Sequence, residues 1–229
     1  MVWLGVIAGF LAVDQRCGWQ GLVAQPVFAG ALSGLVVGEL PTGICVGLFI
    51  EVIYLSVVPM RGARVADQVA AGVVGAGTAG LLLRLEGGPA PELVCAVGVF
   101  VGLVAGEFAA LVTAPLFALH NRFLSSVEFA PDTDRGRLRR SLSVLHASSV
   151  GFVFAVEGLL VLGLGAAGYY LGLRAVRLVD GALARGILFW GALVGAIGVA
   201  SIIHLFWQHR FRNVLLVSAV AVVIILWLR

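Results

Sequence analysis

Residues 92–119 read ELVCAVGVFVGLVAGEFAALVTAPLFAL. After Glu92 the stretch holds one charged side chain, Glu107, and it exceeds the roughly 20 apolar residues that a helix needs to cross a bilayer. Comparable runs lie at 146–173, 186–206 and 213–228. A water-soluble domain interrupts its apolar sequence far more often and carries about twice the 12% of charged residues found here. With 61% hydrophobic residues and a mean hydropathy of +1.08, the sequence predicts an all-α, polytopic membrane protein.

Towards the N-terminus from that run, the loop 84–92 holds Gly87-Gly88-Pro89 and Pro91, an evident turn, and residues 68–83 are rich in glycine and alanine. Two further apolar runs, 22–38 and 41–58, are split by Glu39-Leu40-Pro41. Residues 3–13 are apolar but too short to span unaided, and the polar patch DQRCGWQG follows at 14–21. The opening MVWLGVIAGF lacks a basic region and a small-residue cleavage site, so it reads as mature sequence. Towards the C-terminus, residues 120–145 are expected to form a cytoplasmic loop, because Arg135, Arg137, Arg139 and Arg140 are the densest basic cluster. Residues 174–185 carry three more arginines on what should be the opposite side, so the denser cluster decides. The expectation is one membrane domain, 1–229, of about seven to nine transmembrane or re-entrant helices. A first half, 1–119, has short and broken helices, and a second, 146–229, has longer ones.

The net charge of +3 comes from arginine alone, placed between apolar runs where headgroup contact and orientation account for it. Nucleic acid is not an expected partner. Cys17, Cys45 and Cys95 are scattered, without metal spacing or a disulfide framework, and read as small apolar residues. The four histidines are dispersed, so neither a metal site nor a cofactor is expected. Phosphate-cradling loops and the common hydrolase motifs are missing from the sequence.

Thirty-one of the 229 residues are glycine. Gly30, Gly34 and Gly38 fall on one helical ridge, Gly98, Gly102 and Gly106 on another, and Gly43 and Gly47 begin a third. Such ridges let backbones approach closely in lipid, which suits either dimerisation or a transporter core. GLVVGE at 34–39 and GLVAGE at 102–107 form a possible internal repeat, a common build for transporters.

Ionisable groups inside apolar runs are costly and so are candidates for function. They are Glu51, Glu107, Glu157, His146 and His204, with Asp14, Gln25 and Asp67 at run edges. Glu51 shares a helix face with Tyr54. A carboxylate can accept from two neighbouring sugar hydroxyls, and a tyrosine can pack on the sugar's C–H face and donate from its tip. Arg61, Arg64 and Asp67 follow in a segment broken by Pro59 and Gly62. Broken backbone at membrane depth belongs where it is buried in protein or lines a cavity. The equal alternative is a surface loop, with Glu51 paired to an arginine. His146 and Glu157 lie on one face about three turns apart, too far to touch, and serve either a polar path or structural pairing.

Residues 11–80 resemble the membrane-spanning enzyme IIC subunit of the mannose/fructose/sorbose family of bacterial sugar phosphotransferase systems. The resemblance rests on Asp14, Gln25-Pro26, the series Gly30, Gly34, Gly38-Glu39 and Thr42-Gly43, then Gly47, Glu51, Leu55, Pro59 and Asp67. Downstream, His120 falls where that family has a helix-end histidine, and His146-Ala147-Ser148-Ser149 is similar to its next helix opening. It implies a sugar-binding set of Glu51, Asp67, Asp14, Gln25, Arg61 and Tyr54, and a path or structural set of His146, Ser148, Glu157 and Glu107. It further implies a hexose substrate, a IID membrane partner in higher oligomers of IIC–IID pairs, cytoplasmic IIA and IIB phosphocarriers, and the bacterial inner membrane. The phosphohistidine would sit on IIB, leaving this chain as a non-catalytic sugar path. This sequence departs from the pattern where Arg61 and Arg64 replace small residues and both prolines before Asp67 are missing. That departure motivates a second reading, a transport-deficient regulatory or scaffold subunit. A third is an ion-coupled transporter with Glu51, Glu107 and Glu157 as a relay.

Overall fold

The structure, a computed structural model, describes residues 1–17, 22–55, 66–85, 89–125 and 135–178, with scattered positions between 182 and 200. Among the described residues six helices carry the fold: α1 (Val2–Arg16), α2 (Pro26–Val37), α3 (Leu40–Leu55), α4 (Gln68–Leu83), α5 (Pro91–Ser125) and α6 (Arg135–Leu178). A single 3₁₀ turn, Leu22–Ala24, precedes α2, and there is no strand among the described residues. The all-helical expectation holds. The predicted runs 186–206 and 213–228 fall almost wholly outside the described residues, as do Arg61 and Arg64.

Local chemistry sets the helix ends. Pro26 opens α2 at its first position, where its missing N–H and fixed φ cost nothing. Gly38 closes α2 at φ 76°, a left-handed conformation that glycine adopts without a Cβ penalty. Its N–H donates to the Gly34 and Leu35 carbonyls. The turn lets α3 start two residues later and return antiparallel along α2. Gly38 is therefore the cap of the expected ridge rather than part of its packing face. The other ridge glycines do pack: a Cβ on Gly30 would stand 2.5 Å from the Gly43 carbonyl oxygen, and one on Gly34 2.9 Å from the Gly43 Cα.

The same device joins α4 to α5. A Cβ on Gly75 would lie 2.7 Å from the Gly98 carbonyl oxygen, and one on Gly102 2.6 Å from that of Ala71. Helix α4 is the centre of the bundle and touches α1, α2, α3, α5 and α6. Its sequence, QVAAGVVGAGTAGLLL, is small and apolar on every side, as befits a helix buried all round. Lipid supplies little hydrophobic drive between helices, so close van der Waals packing of such surfaces holds them together. On the far side α1 lies antiparallel on α6, with Gly5 against Leu162 and Gly9 against Phe154.

Helix lengths differ sharply. At 1.5 Å per residue the 16-residue α3 and α4 reach about 24 Å, short of the roughly 30 Å hydrocarbon core. Helix α2, which pairs with α3, is shorter still, at 12 residues or about 18 Å. Helices α5 and α6 are long and apolar enough to cross a membrane.

Two sequence expectations change. Residues 120–145 are not a continuous loop: α5 runs on to Ser125 and α6 starts at Arg135. Arginine, leucine and histidine continue a helix as readily as a loop, and Arg137, Arg139 and Arg140 lie on its exposed side. The two GLV-x-GE copies have different conformations. Gly34–Glu39 ends a helix and turns, whereas Gly102–Glu107 continues through the middle of α5. The shared letters reflect the composition of close-packed helices and not a repeated element at this level.

Candidate functional site

The N-terminus of α4 gathers polar groups from several helices. Asp67 is its N-cap. One carboxyl oxygen accepts from the Ala70 N–H at 3.1 Å, and the other accepts from Arg16 Nη2 at 2.7 Å. Its own N–H donates to the Gly106 carbonyl of α5 at 3.0 Å. The side chain is 1% exposed. A helix N-terminus favours a carboxylate at this point. Asp67 is thus fixed by its own helix, by α1 and by α5, at the exit of the segment that the sequence marked as broken.

Arg16 ends α1. Its guanidinium lies over the Phe117 ring, 4.4 Å from the centroid, and Phe117 meets Phe152 edge-on at 6.0 Å. His120 stacks on the other ring of that pair, Phe152, at 4.3 Å, and its Nε2 is 3.2 Å from Ser149 Oγ. An aromatic string therefore leads from the Arg16–Asp67 pair to the helix-end histidine and the second serine of His146-Ala147-Ser148-Ser149.

Glu157 approaches from α6. It is 0% exposed, and neither carboxyl oxygen accepts a hydrogen bond from a donor among the described residues. Asp67 and Arg16 are its electrostatic neighbours. Tyr54 of α3 is buried too, and its hydroxyl has no partner among the described residues. That hydroxyl rests against Gly106, where a Cβ would stand 2.6 Å from it, and it lies within electrostatic reach of Glu107 and Asp67.

The remaining sequence candidates are arranged differently. Glu51 is half-buried on α3 and turns to the N-terminus of α2, accepting from the Val27 N–H at 3.4 Å. Gln25 is the N-cap residue of α2, without a side-chain cap bond. Asp14 is half-buried on α1, two residues before Arg16. Glu107 is on the exposed side of α5. His146 and Ser148 are exposed on α6, with Ser148 bonded back to the Leu145 carbonyl. Arg61 lies outside the described residues, so the departure it marks has no structural account. Asp67, Tyr54 and Glu157 come together, and Arg16, which the sequence left inside a polar patch, joins them.

A family profile described as the sorbose-specific IIC component of the phosphotransferase system matches residues 1–227. The chain belongs to this family. The resemblance found at 11–80 and 146–149 is therefore part of a match along the chain, and it places this IIC component among membrane proteins of phosphotransferase sugar transport. A protein of Escherichia coli (strain K12), named as a candidate N-acetylgalactosamine permease IIC component 2, is 35% identical over 72 residues, 31% of this chain. The match covers 53% of that relative, so the chain spans about half the length of the curated protein it matches. A solved structure titled "Structure of membrane protein" superposes with a TM-score of 0.64, covering 100% of this chain and 95% of the other at 15% identity. At that identity the likeness concerns the fold alone.

Proposed function

We propose that this IIC component is the sugar-translocating membrane subunit of a phosphoenolpyruvate-dependent phosphotransferase system, taking a hexose of the mannose/fructose/sorbose class. The observation that carries the reading is Asp67, a buried carboxylate held at the mouth of α4 beside Glu157 and the Tyr54 hydroxyl, which has no hydrogen-bond partner among the described residues. Such a carboxylate can accept from two adjacent sugar hydroxyls, and the phenol adds a donor and an apolar ring face. Glu51 acts one step away, by holding the start of α2 against α3.

The partners follow from the family's chemistry. A IID membrane subunit completes the path, in higher oligomers of the pair. Cytoplasmic IIA and IIB relay the phosphoryl group. On delivery the phosphorus–nitrogen bond of the IIB phosphohistidine breaks and a phosphorus–oxygen bond to the sugar forms, the hydroxyl proton being taken up in net terms by the released histidine nitrogen. The charged product cannot return through the apolar bundle. The setting is the bacterial inner membrane, crossed several times.

Uptake of labelled mannose, fructose and sorbose tests the reading in cells that also carry the partner subunits. Asp67→Asn and Glu51→Gln are expected to abolish uptake while leaving the membrane-inserted amount unchanged. Normal uptake in both variants refutes the site. One observation favours the second reading, a regulatory subunit that no longer transports: Arg16 occupies an oxygen of Asp67 that a sugar would need. Wild-type protein that inserts and assembles with IID, yet moves none of the three sugars, decides for it.

A further inference from the structure

Two carboxyls and one guanidinium share the corner between α1, α4 and α6. Arg16 serves Asp67 through one Nη2–Oδ2 contact of 2.7 Å. A guanidinium has five N–H donors in a planar fork, so most remain for another acceptor. Glu157 is such an acceptor: fully buried, with the Asp67 carboxyl as its first electrostatic neighbour and Arg16 as its second, and with no described donor in hydrogen-bond range of either oxygen. An acid left in that condition is costly in any low-dielectric setting. Arg16 is also free to turn. It sits at the end of α1, its side chain is 33% exposed, and its other contact is the flat face of Phe117. A ring face tolerates sliding of the guanidinium in a way that a second directional bond would not.

We propose that Glu157 is the alternative partner of Arg16, receiving its guanidinium when a sugar takes the oxygens of Asp67. This rests on Asp67 being a sugar ligand. In the empty site Arg16 pairs with Asp67. On binding, sugar hydroxyls donate to Asp67, and Arg16 moves across to Glu157. The guanidinium stays paired throughout, which lowers the cost of displacing it. In the sugar-bound state Glu157 meets Arg16 and not the sugar, so it is a positioning residue. The exchange also answers the objection that Arg16 blocks the site: a blocked carboxylate with a second acceptor beside it is a gated one.

The test is sugar uptake at initial rate, with KM and maximal rate separated, in cells carrying the full set of partner subunits, together with equilibrium binding of labelled mannose, fructose and sorbose to their membranes. Glu157→Gln keeps the shape and removes the charge. Its KM and Kd are expected to rise by at least about fivefold, the scale of a typical coupling between two sites. Adding Arg16→Gln to it unlocks Asp67 and should bring affinity back towards wild type. A merely structural role for Glu157 gives no such rescue. Glu157→Asp retains the charge and should keep most of the affinity. Wild-type affinity in Glu157→Gln overturns the exchange, as does a double variant no better than the single one, or equal losses in Glu157→Asp and Glu157→Gln. Asp67→Asn separates the levels. If it loses uptake while Glu157→Gln is normal, only the exchange fails. If Asp67→Asn transports normally, or wild-type membranes bind none of the three sugars, the sugar site fails and the exchange with it.

Discussion

Asp67 does two jobs with two oxygens, and they separate by mutation. One oxygen caps α4 through the Ala70 N–H, and the other meets Arg16. Asn is as good an N-cap as Asp, whereas Ala is not, and loss of a cap costs roughly 0.5–2 kcal/mol. Asp67→Ala is therefore expected to melt earlier in detergent than Asp67→Asn, while both lose the Arg16 ion pair. Equal melting temperatures would mean that the cap adds nothing. The acids of this site were legible in the sequence because a carboxylate near apolar sequence is conspicuous. Arg16 was not. It stands in a polar patch where nothing distinguishes it, and its partner is 51 positions away, a separation that no local pattern encodes. Glu51 was legible as a residue but not as a contact: its place against the start of α2 depends on the hairpin having closed.

At the scale of elements, the glycine ridges were readable because four-residue spacing fixes a helix face whatever the tertiary fold. What spacing cannot reveal is which ridge meets which. In the fold, Gly30 and Gly34 meet Gly43, whereas Gly98 and Gly102 meet α4. At Gly30 and Gly34 the contacts are to backbone atoms, which cannot rotate aside as a long side chain can. Gly30→Ala is expected to push α2 off α3, lowering both the folded yield and uptake. Gly151→Ala, whose new methyl would meet no described atom within 4 Å beyond its own helix backbone, should leave both unchanged. Measuring monodispersity after extraction alongside uptake checks the contrast, and similar behaviour of the two variants would contradict the packing. The 120–145 segment shows the opposite limit of legibility. Its polarity was plain, but polarity marks contact with water, and a helix that leaves the membrane is as polar as a loop.

Over the whole molecule, that same segment bears on orientation. Helix α5 is about 52 Å long and α6 about 66 Å, against a hydrocarbon core of roughly 30 Å. Both overshoot where they meet each other: Phe117 and His120 of α5 face Phe152 and Ser149 of α6. The projecting end carries Arg122, Arg135, Arg137, Arg139 and Arg140, while the opposite end has Arg84, Arg174 and Arg177. Arginine bias sets topology, and acids count for little, so the projecting end is expected in the cytoplasm. This matters for the site, because Asp67, Arg16 and Glu157 all lie on that half of the bundle: Glu157 is about three turns inside the start of the 146–173 apolar run of α6 and more than four from its end. Under the proposed function, a sugar at Asp67 would then stand within a short step of a cytoplasmic phosphocarrier, and the opposite orientation would present it to the outside. Ser143→Cys, made in a background without Cys17, Cys45 and Cys95, places a single exposed thiol on the projection. A membrane-impermeant maleimide should label it in inside-out vesicles and not in intact spheroplasts. Labelling in spheroplasts would reverse the bundle, and the step from Asp67 to the phosphocarrier would then have to cross the membrane first.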